Sequence, residues 1–77
     1  MIVEVEWEDA SFREAILTPD AAKHDEPYFV RTVGWLIHRD KHRIRLAMHQ
    51  INDGRVRDLM VIPMPMVRRI RRLKGGF

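Results

Sequence analysis

Arginine is the residue type that offers the most chemistry in this sequence, and it is concentrated towards the end of the chain. Guanidinium groups neutralise phosphates and release bound counterions, so such a cluster predicts salt-dependent binding of single-stranded RNA, single-stranded DNA or another phosphate-bearing ligand. The alternative interpretation is a solvated edge strand or a set of partners for acidic residues elsewhere. The candidate phosphate-binding residues are Arg55, Arg57, Arg68, Arg69, Arg71, Arg72 and Lys74.

The charges are distributed very unevenly along the chain. Its 77 residues carry a net charge of +3. Residues 1–28 hold eight acids against two bases, a net of −6, whereas residues 29–77 hold twelve bases against three acids, a net of +9. Three explanations stay open: a polyanionic partner, a head-to-tail contact between copies, or an acidic element folded across a basic one.

Catalytic and metal-binding patterns are weak. The sequence contains no cysteine, and its one serine, Ser11, is best explained as a helix cap. His38 and His42 flank a turn but lack a third ligand, and the basic row Arg43, Arg45 and His49 is typical of a solvated strand face. We therefore expect no enzyme activity, no cofactor and no metal site.

Four aromatic residues invite comparison with proteins that stack nucleobases. Trp7, Tyr28, Phe29 and Trp35 have the large π faces on which single-stranded nucleic acids stack. In so small a domain, however, aromatic residues are more often core packing. We expect packing rather than stacking.

Alternation of apolar and polar residues predicts a single, mostly β domain over residues 1–77. The Asn52-Asp53-Gly54 turn indicates a hairpin, Gly34 indicates a bend or a close backbone approach within a strand, and residues 64–67 suit a 3₁₀ corner. Residues 74–77 are expected to be a flexible tail. The predicted strands are 2–7, 29–38, 43–49, 55–62 and 68–73.

Residues 8–28 predict a helix and loop between the first two strands. Ser11 and Glu14 form a capping-box pattern, and Phe12, Ala15 and Ile16 form a short apolar stripe. The stripe predicts a helix of two turns at most, which must stop before Pro19. One further helical turn is compatible with the residues that follow Pro19.

This order of elements resembles the small, strongly bent, five-stranded Sm-like barrel. The sequence also resembles a family of uncharacterised small bacteriophage and prophage proteins. The motifs that carry this resemblance are Val33-Gly34-Trp35-Leu36-Ile37, Arg45-Leu46-Ala47 and Val61-Ile62-Pro63. The resemblance implies a homo-oligomeric ring of roughly five to seven subunits, in which strand four pairs with strand five of the next subunit. The expected interface residues are Leu59, Met60, Val61, Ile62 and Ile70.

The resemblance also sets the functional expectation. Sm proteins that bind uridine-rich RNA carry an arginine- or lysine-glycine pair before strand five, and Pro63-Met64-Pro65 stands there instead, so a uridine pocket is not implied. We expect a ring-forming binding protein for single-stranded nucleic acid or another phosphate-bearing ligand. The alternative is a non-enzymatic counter-defence or regulatory protein that binds a host protein or sequesters a signalling nucleotide.

No membrane partner is expected. The longest uncharged apolar run, residues 59–67, is far shorter than the ~20 residues that span a bilayer. The expected location is the cytoplasm, that of the bacterial host if the protein is phage-encoded.

Overall fold

The five predicted strands all form. The computed structural model describes residues 1–10 and 14–74. The observed ends of the strands lie within two residues of the predicted ends. The predicted 3₁₀ corner is present at Met64–Met66. The strands are β1 (Ile2–Asp9), β2 (Tyr28–Arg39), β3 (Arg43–Gln50), β4 (Val56–Pro63) and β5 (Val67–Arg72), with one helical turn, α1 (Pro19–Ala22), between β1 and β2.

The strands form one antiparallel sheet in the order β4-β3-β2-β1-β5. The expected mainly β class is confirmed, but the sheet is not closed, because β4 and β5 are its two edges and pair with β3 and β1 respectively. The corner explains the separation of the two strands. Pro63 and Pro65 have no amide hydrogen to donate, and the Met64 amide donates to the His42 carbonyl at 2.9 Å, so the chain leaves β4 without forming a hairpin.

The sheet bends along β2 so that one half packs on the other. Val3 and Val5 of β1 are buried together with Ile44 and Leu46 of β3, although β2 lies between those strands in the sheet. Gly34 permits the bend: a Cβ atom there would lie 2.8 Å from the Ala47 carbonyl oxygen. The predicted close backbone approach at this glycine is confirmed. We call the sheet face opposite this core the outer face.

The segment between β1 and β2 differs from the prediction. Residues 14–17 are not helical, so the helix predicted before Pro19 is wrong in its described part, whereas Ser11 and Phe12 lie outside the described residues. The helical turn follows Pro19 instead, and the Ala21 amide donates to the Thr18 hydroxyl at 3.2 Å. A short apolar stripe forms a stable helix only when it packs on something, and Ile16 is fully exposed.

The chain buries little surface for its size. Its radius of gyration is 16.1 Å, against about 11–12 Å for a compact domain of this length. Its accessible surface is 6414 Å², against roughly 4,900 Å² expected for a compact monomer of this mass. An isolated chain therefore leaves an unusually large area for contacts with other molecules.

Candidate phosphate-binding surface and subunit edges

The arginines of β5 lie across from the glutamates of β1. In the β1–β5 register, Glu4 is opposite Arg71 and Glu6 is opposite Arg69. A β-bulge beside Glu6 leaves Arg68 as an extra residue, which the bulge turns towards Glu8. The acidic element thus folds across the basic one within a single chain, which is the third explanation that the sequence left open.

Ion pairs link these strands on the outer face. Nη2 of Arg71 donates to Oε1 of Glu4 at 3.3 Å, and Nη2 of Arg68 donates to Oε1 of Glu8. The Glu6 carboxylate lies 3.1 Å from Nε of Arg31 on β2. Each pair is partly exposed and contributes roughly 0–1 kcal/mol. The Glu4 and Glu8 pairs nevertheless engage two of the five cations in residues 68–74.

Three members of the predicted set carry no such partner. Arg69 is opposite Glu6, whose carboxylate is already paired with Arg31. Arg72 and Lys74 make no ion pair with any residue in the described part of the chain. The charge of β5 that stays available to a ligand is therefore Arg69, Arg72 and Lys74.

Arg55 and Arg57 lie at the other side of the sheet. Arg55 immediately precedes β4, one edge strand, and Arg57 lies within it. The bases from Arg68 to Lys74 lie in or just after β5, the opposite edge strand. Nε of Arg55 lies 2.8 Å from Oδ2 of Asp53, and Nε of Arg57 lies 3.7 Å from Oδ2 of Asp58. Within one chain, the seven predicted basic residues therefore do not form one continuous surface.

A second basic surface lies at the turn between β2 and β3. Asp40 is the single acid of residues 38–45, which also hold four arginines or lysines and two histidines. Oδ1 of Asp40 accepts from the amides of His42 at 2.7 Å and Arg43 at 2.9 Å, and these backbone hydrogen bonds lower the pKa of the Asp40 carboxyl. The side chain of Asp40 therefore holds the turn in shape.

The cations around this turn outnumber its carboxylate. Oδ2 of Asp40 faces Nη1 of Arg45 at 3.7 Å and Nε2 of His38 at 3.6 Å. Arg39, Lys41 and Arg43 form no ion pair with the described residues. The sequence pattern predicted only that Arg43 and Arg45 lie on a solvated strand face. It did not identify the β2–β3 turn and its flanking bases as one basic surface. The detectable signal was a run of bases around one aspartate.

The predicted interface residues divide between the two faces of the sheet. Leu59 and Val61 lie on the outer face and are 56% and 43% exposed. Ile62 is buried in the core, and Met60 and Ile70 pack against it. If β4 joins another subunit, the side chains of Leu59 and Val61 are therefore the ones free to contact it. Met60 and Ile62 of β4, and Ile70 of β5, contribute to the core of their own chain instead.

The aromatic residues divide in a similar way. Trp7 packs against the core, and its Nε1 donates to Oγ1 of Thr32 at 3.0 Å. Trp35 is half-buried, whereas Tyr28 and Phe29 are 63% and 68% exposed. Phe29 lines a pocket of about 690 Å³ beside the β5 bulge. The pocket is lined by Glu6, Trp7, Phe29, Val30, Arg31 and Arg68.

Comparison of the chain with protein-family models, with curated proteins and with solved structures finds no match. Within residues 1–10 and 14–74, no three histidine, aspartate or glutamate side chains come together as a set of metal ligands. In that same part of the chain, no helix has the length and apolar character needed to cross a lipid bilayer.

Proposed function

We propose that this chain is a non-enzymatic, Sm-like, bacteriophage-type binding protein that assembles edge to edge into a ring and binds a phosphate-bearing ligand. The ligand class that its charges favour is single-stranded RNA or DNA. The fold proposal is supported by five antiparallel strands, a bend at Gly34 and a 3₁₀ corner before the last strand. These features fall at the positions of the motifs that carry the bacteriophage resemblance.

Assembly is supported by the two free edges of the sheet. β4 and β5 each pair with one neighbour in the chain, which leaves a row of backbone donors and acceptors on their other sides. Pairing of β4 with β5 of a second copy satisfies both rows at once, and repeated head-to-tail pairing closes into a ring. The large exposed surface of the isolated chain is in keeping with this arrangement.

The cysteine-free sequence allows a direct test of edge pairing. Val61→Cys on β4 and Arg69→Cys on β5 are combined in one chain, with Val61→Cys plus Arg71→Cys to sample a second register. Paired edges bring Cα atoms within the 4.4–6.8 Å that a disulfide needs, so mild oxidation is expected to give covalent oligomers. Val61→Cys with Lys41→Cys on the β2–β3 turn is the matched control. A monomer by light scattering at micromolar concentration contradicts the ring.

The observation that carries the ligand proposal is the unequal distribution of ion pairs. Arg68 and Arg71 are held by glutamates of β1, whereas Arg39, Lys41 and Arg43 project from the β2–β3 turn without a carboxylate partner among the described residues. Unpaired cations gain most from a phosphate, because they lose no existing partner when it binds. We therefore place the main ligand contacts at the turn, with Arg69, Arg72 and Lys74 as the contributing members of the β5 set.

Two double variants that each remove two positive charges distinguish ligand binding at the β2–β3 turn from ligand binding at the paired arginines of β5. Arg39→Gln with Arg43→Gln is expected to weaken binding of a fluorescent single-stranded oligonucleotide at least tenfold and to reduce the salt slope by roughly one to two. Arg68→Gln with Arg71→Gln removes the same charge from paired positions and is expected to change affinity less than threefold. Equal losses in both variants contradict the turn as the main site, and affinity that does not change with salt contradicts phosphate binding altogether.

The pocket beside the β5 bulge favours a second candidate, a regulatory or counter-defence protein that sequesters a signalling nucleotide. Phe29 offers an exposed ring for a base, and Arg31 and Arg68 stand at the same pocket. A nucleotide that co-purifies with the protein gives excess absorbance at 260 nm that survives nuclease treatment. Its loss in Phe29→Ala, with the protein still folded, supports this candidate, and the absence of any such absorbance argues against it.

A further inference from the structure

We propose that the acidic loop between β1 and β2 of one copy docks on the outer face of β3 and β4 of a second copy, with Ile16 and Leu17 beside Leu59 and Val61. This contact uses side chains on the face of the sheet. It is separate from the backbone pairing of edges proposed above, and either contact can exist without the other.

The loop presents an apolar tip, Ile16 and Leu17, of which its own chain leaves Ile16 wholly uncovered. Residues 14–27 are exposed throughout, and Ile16 is 103% exposed, so it gains no contact with its own sheet. Leu17 beside it is 38% exposed. Long connections in small domains usually have a role, and residues 14–27 hold one helical turn, Pro19–Ala22, and no strand.

The loop is partly preorganised for such a contact. Thr18 caps the helical turn that follows the tip, and Nζ of Lys23 lies 3.6 Å from Oδ1 of Asp20 across it. A short element that is ordered before binding loses less conformational entropy when it docks. The apolar tip is thus held next to a small, hydrogen-bonded structure.

The receiving face combines apolar side chains with positive charge. Leu59 and Val61 are adjacent outward positions of β4, opposite Ala47 and Arg45 of β3. Arg43, Arg45 and Arg57 are also at outward positions of these strands, against two nearby carboxylates, Asp40 beside Arg45 and Asp58 beside Arg57, a net of +1. The loop, residues 10–27, holds four acids against Arg13 and Lys23, a net of −2. The two surfaces are therefore complementary in charge as well as in apolar character.

The occupant is a second copy of this chain, because both complementary surfaces are present on every copy. Within one chain the tip stays exposed, so the loop and its receiving face do not satisfy each other. A contact between two different patches is heterologous, and such contacts build rings or filaments. The proposed contact also gives a role to part of the acidic charge in the first 28 residues. The acids of the loop are distinct from the β1 glutamates that pair with β5.

Charge-bearing variants at the two patches test the contact. Ile16→Lys places a cation in the tip that meets a basic face, and Leu59→Glu places an anion on the face that meets an acidic loop. Each is expected to raise the dissociation constant of self-association at least tenfold, measured by light scattering over a concentration series. Matched controls are Ala22→Lys in the same loop and Val56→Glu on the same strand, which are expected to change it less than twofold.

Mixing the two variants gives the decisive result. The loop of the Leu59→Glu chain and the face of the Ile16→Lys chain are both intact, so an equimolar mixture is expected to associate more tightly than either variant alone in the same light-scattering series. A mixture that associates no more tightly than the separate variants, or an Ile16→Lys chain that self-associates like the parent, overturns the docking proposal. The cysteine cross-links between β4 and β5 report on edge pairing alone, so the two failures are distinguishable.

Discussion

Glu4 on β1 lies directly opposite Arg71 on β5, and the Arg71 guanidinium donates to the Glu4 carboxylate at 3.3 Å. The two residues are separated by almost the whole sequence, yet they are immediate neighbours in the sheet. Their pairing converts the contrast between an acidic beginning and a basic end into an internal contact. It also leaves the basic final strand with fewer unpaired cations than its composition indicates.

We expect the Glu4–Arg71 pair to contribute little to stability and to be sensitive to salt. A double-mutant cycle with Glu4→Gln and Arg71→Gln is expected to give a coupling free energy of about 0.2–1 kcal/mol in low salt. At 1 M salt the Debye length is about 3 Å, so most of the coupling is expected to disappear. Urea unfolding of the four proteins measures both values.

Arg72→Gln is the matched control for this cycle. Arg72 is on the same strand and makes no ion pair with the described residues, so no coupling with Glu4 is expected. A Glu4–Arg71 coupling that persists at high salt contradicts a screened surface pair and points to a stronger, desolvated interaction.

Gly34→Ala is expected to destabilise the protein by about 1–3 kcal/mol because its new methyl group enters occupied space. The Cβ atom would lie 2.8 Å from the Ala47 carbonyl oxygen and 2.8 Å from Cε of Met48. The methionine side chain can move aside, whereas the carbonyl belongs to the β3 backbone. Urea unfolding measures the loss.

A second substitution separates the two close contacts at Gly34. Adding Met48→Ala to Gly34→Ala removes the Cε contact and leaves the carbonyl contact in place. Relative to Met48→Ala alone, the Gly34→Ala change is therefore expected to stay destabilising. If its cost vanishes in that background, the side chain rather than the backbone sets the requirement for glycine.

The strand pattern could be predicted from sequence because it depends on local alternation. In β3, the buried Ile44 and Leu46 alternate with the exposed Arg43 and the half-buried Arg45, as a period of two requires, although Ala47 after them is buried as well. The Gly34 approach and the proline corner were also accessible, because glycine and proline restrict the backbone in known ways. These signals do not depend on which strands become neighbours.

The remaining features depend on strand order and register, which the sequence did not supply. That Glu8 meets Arg68 follows from a bulge in β5, and nothing in the local sequence marks it. The open sheet likewise depends on how β4 and β5 are placed by the corner between them. Over residues 14–17, the helix predicted before Pro19 also failed for want of a tertiary contact, because the side chain of Ile16 is fully exposed.

The effect of a substitution at Asp58 on stability is expected to depend on whether the new residue accepts the backbone conformation there, not on the chemistry of its side chain. Its φ angle is 61°, in the left-handed region, and it lies within β4. A β-branched residue there is strained, so Asp58→Val is expected to cost about 1–2 kcal/mol, whereas Asp58→Asn is expected to be near neutral. Thermal unfolding compares the two variants.

The contact between Asp58 and His49 provides the control. Oδ2 of Asp58 lies 3.1 Å from Nε2 of His49. If that contact, rather than the backbone, determines the residue, His49→Ala is expected to cost as much as Asp58→Val. A cost for His49→Ala within about 0.5 kcal/mol supports the conformational explanation.

Asp40 is expected to make the stability of the fold depend on pH in the acid range. Backbone hydrogen bonds from His42 and Arg43 are the main causes that hold the pKa of its carboxyl below the ordinary value of 3.8. A group whose pKa is lower in the folded state stabilises the fold above its unfolded pKa, and this contribution is lost as the pH falls through the folded pKa. The loss is therefore expected below about pH 4.

Two substitutions at Asp40 separate its charge from its hydrogen bonds. Asp40→Asn keeps an oxygen that can accept from the two amides but carries no charge, whereas Asp40→Ala removes both. The melting temperature of the parent is expected to exceed that of Asp40→Ala at pH 7, and this difference is expected to shrink as the pH falls below about 4. For Asp40→Asn, the difference from the parent is expected to be smaller at pH 7 and to shrink over the same range. If the gap between the parent and Asp40→Ala is the same at pH 3 and pH 7, the ionised carboxylate does not stabilise the β2–β3 turn.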